Sequence, residues 1–546
     1  MAEPRDNFPI PAILCAAFGL WLAAGCDAGF SGEAFDNAPP ETALSVQDTS
    51  LVDNILDSER LSSTVLVSWT GDDSDGFVAA YDVRFYVLSQ PPVSPDASWS
   101  RTTRTDSLVL LPIPPGSKIA NVVFEVRAID NEDAPDPTPA RTVFPIENAP
   151  PTLRLLTFDL PPDTTFQVFS VGWEAGDPEG TANLARIEVS LNDSTQFVGV
   201  PPEFDFVTLV GDVDKSDDAQ MTTDARIYLG RGFQSTELRL PNLLLDAQNT
   251  LYVRAVDLTD TTSSIERVHW FVKKQRSDIL YVNDWRKSNA PVLQRFHLGL
   301  LAEHLPAGTP IDVWDITVPF VTGAAGNVPR SELLPKNAVP SLQQTLALYK
   351  HIYWVATNTT NSTQRNNFPF AVAVLDVFFD NGGTILVHSP ITLPPDPEDN
   401  LGNPAVLLLP MSGLIAFPDT LRQQLRLRPG AAVRPINEAP GGSRPLPDLS
   451  FSSFDINTLP YVVSGTNAIP LYQADFTYVS TTNVQGPWTG PSTVASISAD
   501  RRIGLFAIPL INEQSSAPIL IGADGRLDAG REAVSILLES LGFPKR

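Results

Sequence analysis

The sequence predicts a multidomain chain in which two all-β sandwiches precede one α/β domain built on a parallel sheet. Three observations predict it: an internal repeat in the first half, period-two apolar alternation within that repeat, and a change to alternating apolar runs and helical spacings after Ser277. The length of 546 residues is too great for one ordinary core.

The N-terminus reads as an export signal. "FPIPAILCAAFGLWLAAGC" carries an apolar run that ends in small residues and is short for a bilayer span. The stretch "LAAGC" resembles a bacterial lipoprotein box, with Ala23 where Leu is usual and Leu22 one place early. The resemblance implies a signal over 1–25, lipidation at Cys26 and a linker over 26–36. An ordinary cleaved signal and an uncleaved anchor are the alternatives. The resemblance also implies a bacterial cell envelope, at the outer membrane, its periplasmic face or the cell surface.

The repeat has three anchors in the same order. "NAPPETALS" begins at Asn37 and "NAPPTLRLL" at Asn148. "SWTGDDSDG" and "GWEAGDPEG" each set Trp and Gly seven residues apart. "FEVRAID" closes the first copy at Asp130, and "LYVRAVD" the second at Asp257. Two modules therefore occupy 37–146 and 147–275. Segments such as "STVLVSW", "VVFEVRAI" and "TLYVRAV" alternate inward apolar with outward residues, and turns rich in Asp, Gly and Pro divide them. That pattern predicts immunoglobulin-like sandwiches of antiparallel sheets. The modules resemble fibronectin type III domains. On that resemblance Trp69 and Trp173 are core tryptophans, Tyr81 the third-strand aromatic, and Phe124 and Tyr252 the aromatics before "VRA". The second module lacks the third-strand Tyr, and "EFDFVTLVGDVDKSDDAQM" reads as an insertion that leaves its edge irregular.

After Ser277 buried-strand runs alternate with helical spacings. "DILYVND", "PIDVWDIT", "HIYWVAT" and "GTILVHS" are strands. "NAPVLQRFHLGLLAEHL", "SLQQTLALY" and "FAVAVLDVFFDNG" are helices, and "RRIGLFAIPLI" and "GREAVSILLESLG" add a last strand and helix. Continuous apolar strands alternating with helices predict a parallel sheet covered on both faces. Residues 391–495 are Pro-rich and read as a long insertion. The whole of 277–546 resembles the class I glutamine amidotransferase-like fold, an α/β flavodoxin-like parallel sheet, through "ILYVND", "VWDIT", "FFDNGGTILVHSP" and "IGLFAIPL".

That family carries a Cys on a Gly-rich elbow after the fourth strand and a His-x-Glu after a late strand. Here the elbow reads Val387, His388, Ser389, Pro390, the late strand is followed by "INEQ" with Glu513, and no His follows His388. The chain has two cysteines, Cys15 and Cys26, so a thiolate nucleophile is excluded from everything downstream. Ser389 is then the weak catalytic candidate of a glycan- or ester-hydrolase alternative, but His388 points to the opposite strand face, and His297, His304, His351 and His269 lie on other elements.

A binding or scaffolding role is the leading expectation, with a glycan or another envelope protein as partner. In open parallel sheets ligands bind beyond the C-terminal strand ends. Those ends supply Asn283, Asp284, Trp285, Thr317, Asn358, His388 and Ser389. Asp284 or Ser288 has the alternative role of capping a helix. No Gly-rich phosphate fingerprint follows the first strand, so nucleotide binding has no support. Asp72, Asp73 and Asp75 of "GDDSDG" are the weak calcium candidates, because calcium takes several carboxylate oxygens. With 63 acidic against 37 basic residues, the net charge of −26 argues against nucleic acid and anionic lipid as electrostatic partners.

Overall fold

The computed structural model describes residues 36–46, 64–114, 116–285, 289–317, 339–357, 367–389, 424–452, 467–479, 484–512 and 514–546. Cys26, Ser288, Asn358 and Glu513 lie outside them. The chain divides into two compact units, Met1–Pro114 with Ile119–Glu147, and Pro115–Lys118 with Asn148–Arg546.

The first unit is a sandwich of two antiparallel sheets. Its strands are β1 (Glu41–Val46), β2 (Thr64–Asp72), β3 (Val78–Val87), β4 (Ser100–Thr102), β5 (Asp106–Leu110), β6 (Ile119–Asp130) and β7 (Ala140–Glu147). One sheet runs β1-β2-β5 and the other β4-β3-β6-β7. Alternation points Val65, Val67 and Trp69 of β2 toward Phe124, Val126 and Ala128 of β6, and these residues form the core. Trp69 packs against Tyr81 at 6.3 Å and Phe124 at 5.9 Å between ring centroids, so the three aromatics expected in this core meet there.

The second unit begins with a larger sandwich. Its strands are β8 (Thr152–Leu155), β9 (Thr164–Thr165), β10 (Val168–Gly176), β11 (Leu184–Leu191), β12 (Val198–Val200), β13 (Phe206–Gly211), β14 (Thr222–Leu229), β15 (Gln234–Leu244), β16 (Ala247–Asp257) and β17 (Glu266–Val272). Sheet β15-β14-β13-β10-β8 faces sheet β12-β11-β16-β17-β9 across a core that holds Trp173. One expectation is corrected here. The stretch expected to leave an irregular edge forms β13, an interior strand paired on both sides, with Phe206, Val207 and Leu209 buried. Tyr252, matched to the family's strand aromatic, does not enter the core. Period two sends Leu251, Val253 and Ala255 into the core, and Tyr252 lies outside beneath the Arg267 guanidinium.

The repeat extends to a hydrogen-bonded clamp in each sandwich. The Asn37 amide donates to Asp130, and the Asn148 amide to Asp257. The other oxygen of Asp130 accepts from the Glu132 and Ala134 amides, and that of Asp257 from the Thr259 and Thr261 amides. The acidic loop ties the same segment: Ala38 N–H donates to Asp75, and Ala149 N–H to Glu179. The motifs "NAPP", "GDDSDG"/"GDPEG" and "VRA-x-D" are thus parts of one device that fixes where the chain enters each module.

The C-terminal half is built on a ten-stranded sheet. Its parallel part holds β18 (Ile279–Asp284), β19 (Asp312–Asp315), β20 (His351–Ala356), β21 (Thr384–His388) and β29 (Ile503–Phe506) in the order β19-β18-β20-β21-β29. Helices α1 (Ala290–His304) and α5 (Ala529–Ser540) cover one face, and α2 (Val339–Ala347), α3 (Phe368–Val372) and α4 (Asp376–Asp380) the other. Apolar residues therefore fill both faces, which explains the unbroken runs "ILYV" and "IYWVA". The expected single helix over "FAVAVLDVFFDNG" is two short ones; it ends at Gly382 with φ +80°, and a side chain on the next residue, Gly383, would strike the Phe378 ring.

The described strands of the Pro-rich segment expected as an insertion extend this sheet. β23 (Ala432–Pro435), β24 (Leu449–Phe451), β25 (Ala468–Ala474) and β28 (Thr493–Ser498) continue it antiparallel beyond β29, ending at β30 (Leu520–Gly522). β22 (Gln424–Arg426), β26 (Thr477–Val479) and β27 (Gln485–Pro487) form a small separate sheet. Prolines such as Pro435 and Pro470 hide the period-two pattern while still sitting within strands.

The second sandwich packs directly on this half. Ser170 and Ser341 share a hydrogen bond of 2.6 Å, Phe166 meets Trp314 and Tyr349, and Gln275 bonds Gln167 and the Leu348 carbonyl. A cavity of about 10 Å³ between them, lined by Thr164, Phe166, Ser170 and Trp314 among others, has room for roughly one water.

Asn148→Ala is expected to lower the stability of the second sandwich by about 1.5–3 kcal/mol, since it strips a fully buried carboxylate of a donor. Asn37→Ala is expected to act in the same direction on the first. Chemical denaturation of each variant reads both.

Candidate functional site

The C-terminal ends of the parallel strands collect most of the polar residues singled out from the sequence, but the sheet divides them. Register sets Asn283 beside Val355 and Val355 beside His388, so Asn283 and His388 share the α1 face. Asp284 and Ser389 follow them by one residue and lie on the face of α2, α3 and α4. The residues that directly succeed these ends, 286–288, 318–338, 358–366 and 390–423, lie outside the described ones.

On the α1 face two buried imidazoles meet. His297 projects from α1 among Leu293, Leu300 and Leu301, the residues three or four places away on the helix's buried face. Its Nδ1 is 2.8 Å from the Tyr353 hydroxyl, and its ring lies 4.7 Å from that of His388. His388 stacks on Phe506 at 5.7 Å, and Tyr353 meets Tyr281 edge-on at 6.0 Å. Four buried polar atoms here have no hydrogen-bond partner: Tyr281 Oη, Asn283 Nδ2, His297 Nε2 and His388 Nδ1. Burial pushes the His388 imidazole down to about 3, and holds His297 well below the ordinary range, with His388 and Arg531 adding to the effect. Burial likewise raises the Tyr281 and Tyr353 phenols. Every titratable group of the cluster is therefore uncharged at neutral pH.

The opposite face is organised by Asp284. Its carboxylate accepts from the Asn367 amide N–H at 2.6 Å, from Asn367 Nδ2 at 2.9 Å and from Trp354 Nε1 at 3.2 Å. Asp284 thereby fastens α3 and β20 to the end of β18 rather than capping α1, whose N-cap is Asn289. Ser389 is fully buried, and its Oγ has no hydrogen-bond partner. No imidazole reaches it, because His388 faces α1 and His297 faces His388. A serine nucleophile needs a base within hydrogen-bond reach, and none is supplied here among the described residues.

The remaining candidates hold structural bonds. Trp285 donates through Nε1 to Asn289 at 3.0 Å and packs in the α1-side core. Thr317 donates its N–H and hydroxyl to Asp315. In the calcium candidates, Asp73 accepts from the Asp75 N–H and Asp75 from Ala38, while Asp72 is exposed. Among the described residues there is no group of three or more His, Cys, Asp or Glu placed to hold a metal ion. The acidic loop works within the clamp. The equivalent Asp177 is pushed up to about 6 by burial and by its hydrogen bond with Glu179.

Sequence reasoning missed His297, Tyr281 and Tyr353 as members of the cluster. The signal was a His on the apolar stripe of α1 and a Tyr within each of two neighbouring apolar strands.

No protein-family model matches the chain, and no curated protein is similar to it. Solved structures similar to part of it include the fibronectin(III)-like modules of Clostridium thermocellum CbhA, at 14% identity over 43% of this chain and 96% of that one, with a TM-score of 0.16. The chicken interferon gamma receptor alpha chain matches at 12% identity over 43% and 98%, with a TM-score of 0.20. The FN1–FN3 domains of chicken CNTN1 match at 12% identity over 44% and 70%, with a TM-score of 0.15.

Asp284→Ala is expected to cost at least about 3 kcal/mol, because three buried donors lose their acceptor at roughly 1–3 kcal/mol each. Ser389→Ala is expected to be neutral or stabilising by up to about 1 kcal/mol, because its hydroxyl bonds nothing. Denaturation midpoints of the two variants check the contrast.

Proposed function

We propose that this chain is an exported, lipid-anchored protein of the bacterial cell envelope whose C-terminal half binds or scaffolds rather than catalyses. Two fibronectin type III-like sandwiches carry a flavodoxin-like, class I glutamine amidotransferase-like domain that has lost its catalytic set. The partner is an envelope protein or a glycan. Lipid at Cys26 tethers the whole to a membrane.

The observation that carries the reading is the end of β21. Where the resemblance demands a nucleophile and a base in contact, Ser389 has a partnerless hydroxyl and His388 faces α1. Support for the fold comes from the order of the parallel strands, second-first-third-fourth-fifth along the chain, with helices on both faces. Support for export comes from the apolar N-terminal run ending in "LAAGC".

Two measurements on the full chain test it. Cys26→Ser is expected to move the protein from the membrane to the soluble fraction of the expressing bacterium; a variant that stays with the membrane contradicts the lipid anchor. Ammonia release from glutamine and hydrolysis of a chromogenic acetyl ester are expected to remain at the rate of buffer alone. Turnover that disappears in Ser389→Ala would restore the hydrolase.

A further inference from the structure

The His297–His388 contact does more than fill space. It is the polar part of the surface by which α1 sits on the ends of β20 and β21, and both rings are wholly buried. We propose that this pair is an acid-sensitive latch: the rings bind protons only when α1 leaves the strand ends, so acid favours the released state.

Among the described residues the surroundings give a proton no counter-charge. From β20 the pair meets the Tyr353 hydroxyl, which Tyr281 of β18 meets in turn, from β29 the Phe506 ring, and α5 brings the cation Arg531 within electrostatic reach of His297. Arg531 lies over Phe296, the neighbour of His297, and pairs with Glu303 on the exposed side of α1. Among the described residues no carboxylate hydrogen-bonds either ring. A buried imidazolium beside a cation is costly, and release into water removes that cost.

The sign follows from linkage. Released rings take a proton near the ordinary histidine value of about 6.5, whereas the seated rings resist it, His388 down to about 3. The seated state is therefore fully favoured above about pH 6.5 and loses ground as pH falls toward the seated values. Between pH 6.5 and 4.5 each imidazole raises the opening constant by about 50-fold, a window that lies above the titration of most carboxylates. His304 and His351 are also held low by burial, His304 to about 4, with Glu539, Lys545 and Arg444 facing the first and Asp278 and Lys350 the second. They add to global unfolding in the same direction, so the test must resolve α1 itself.

The experiment is amide hydrogen exchange of the full chain at pH 6.5, 5.5 and 4.5, corrected for intrinsic exchange and read on peptides within 290–304. Protection of α1 is expected to fall by about 2,500-fold over the two units in the wild type, about 50-fold from each ring. His388→Gln should flatten that fall by about 50-fold. Equal falls in both proteins overturn the latch. Should the variant not fold, imidazole NMR titration of the wild type decides: rings of His297 and His388 that titrate near 6.5 while α1 stays protected overturn it, and rings that stay neutral until α1 opens support it.

Discussion

Desolvation at the C-terminal ends of the parallel strands is the constraint on which the C-terminal half depends. Five strands in register bring polar residues to one edge, where Asn283, Asp284, His388 and Ser389 are buried. A charge kept there must be fully bonded, and any other titratable group must be neutral. The Asp284 carboxyl accepts from Asn367 and Trp354, and His297, His388, Tyr281 and Tyr353 meet the second condition. The face that carries the bonded carboxylate is consequently the structural one, joining β18, β20 and α3. The α1 face carries neutral groups with unused hydrogen-bonding capacity.

The same constraint bears on chemistry. A hydrolytic serine needs a proton acceptor that stays in contact with it, and alternation along β21 sends His388 and Ser389 to opposite sides of the sheet. His297 bonds Tyr353 through Nδ1 and packs against His388 on the α1 face. The N-terminal sandwiches follow a parallel logic with opposite means. There the buried acids Asp130 and Asp257 keep their charge because an Asn amide and backbone N–H groups surround them, and each fixes the chain at the entrance to its module.

Much of this was legible in the sequence. The repeat, Trp69, Tyr81, Phe124 and Trp173 as core residues, and the alternation of strands and helices after Ser277 all come from periodicity that burial imposes directly. The less legible parts have definite physical sources. An aromatic before "VRA" does not fix its own direction, and Leu251, Val253 and Ala255 define the buried period that leaves Tyr252 outside. Within 391–495, Pro435 and Pro470 interrupt a strand pattern that long-range pairing nevertheless enforces. At the site, Asn283 and His388 were found as strand-end residues, but His297 was not joined to them. Its contact with His388 depends on how α1 crosses the sheet, a tertiary fact that spacing along the helix leaves open. In "GDDSDG", a pattern suggestive of cation binding, Asp73 and Asp75 each accept a backbone N–H, and Asp75 ties the loop into the clamp.

Carbethoxylation of histidines by diethylpyrocarbonate, located by mass spectrometry at neutral pH, tests the sealed strand ends most directly. His269 is exposed on β17 and serves as the internal reference. The account requires rapid labelling of His269, with His297 and His388 protected until the protein unfolds. Labelling of His388 or His297 at a rate close to that of His269 in the folded protein would mean that the edge is open to solvent, and the argument from desolvation would fall.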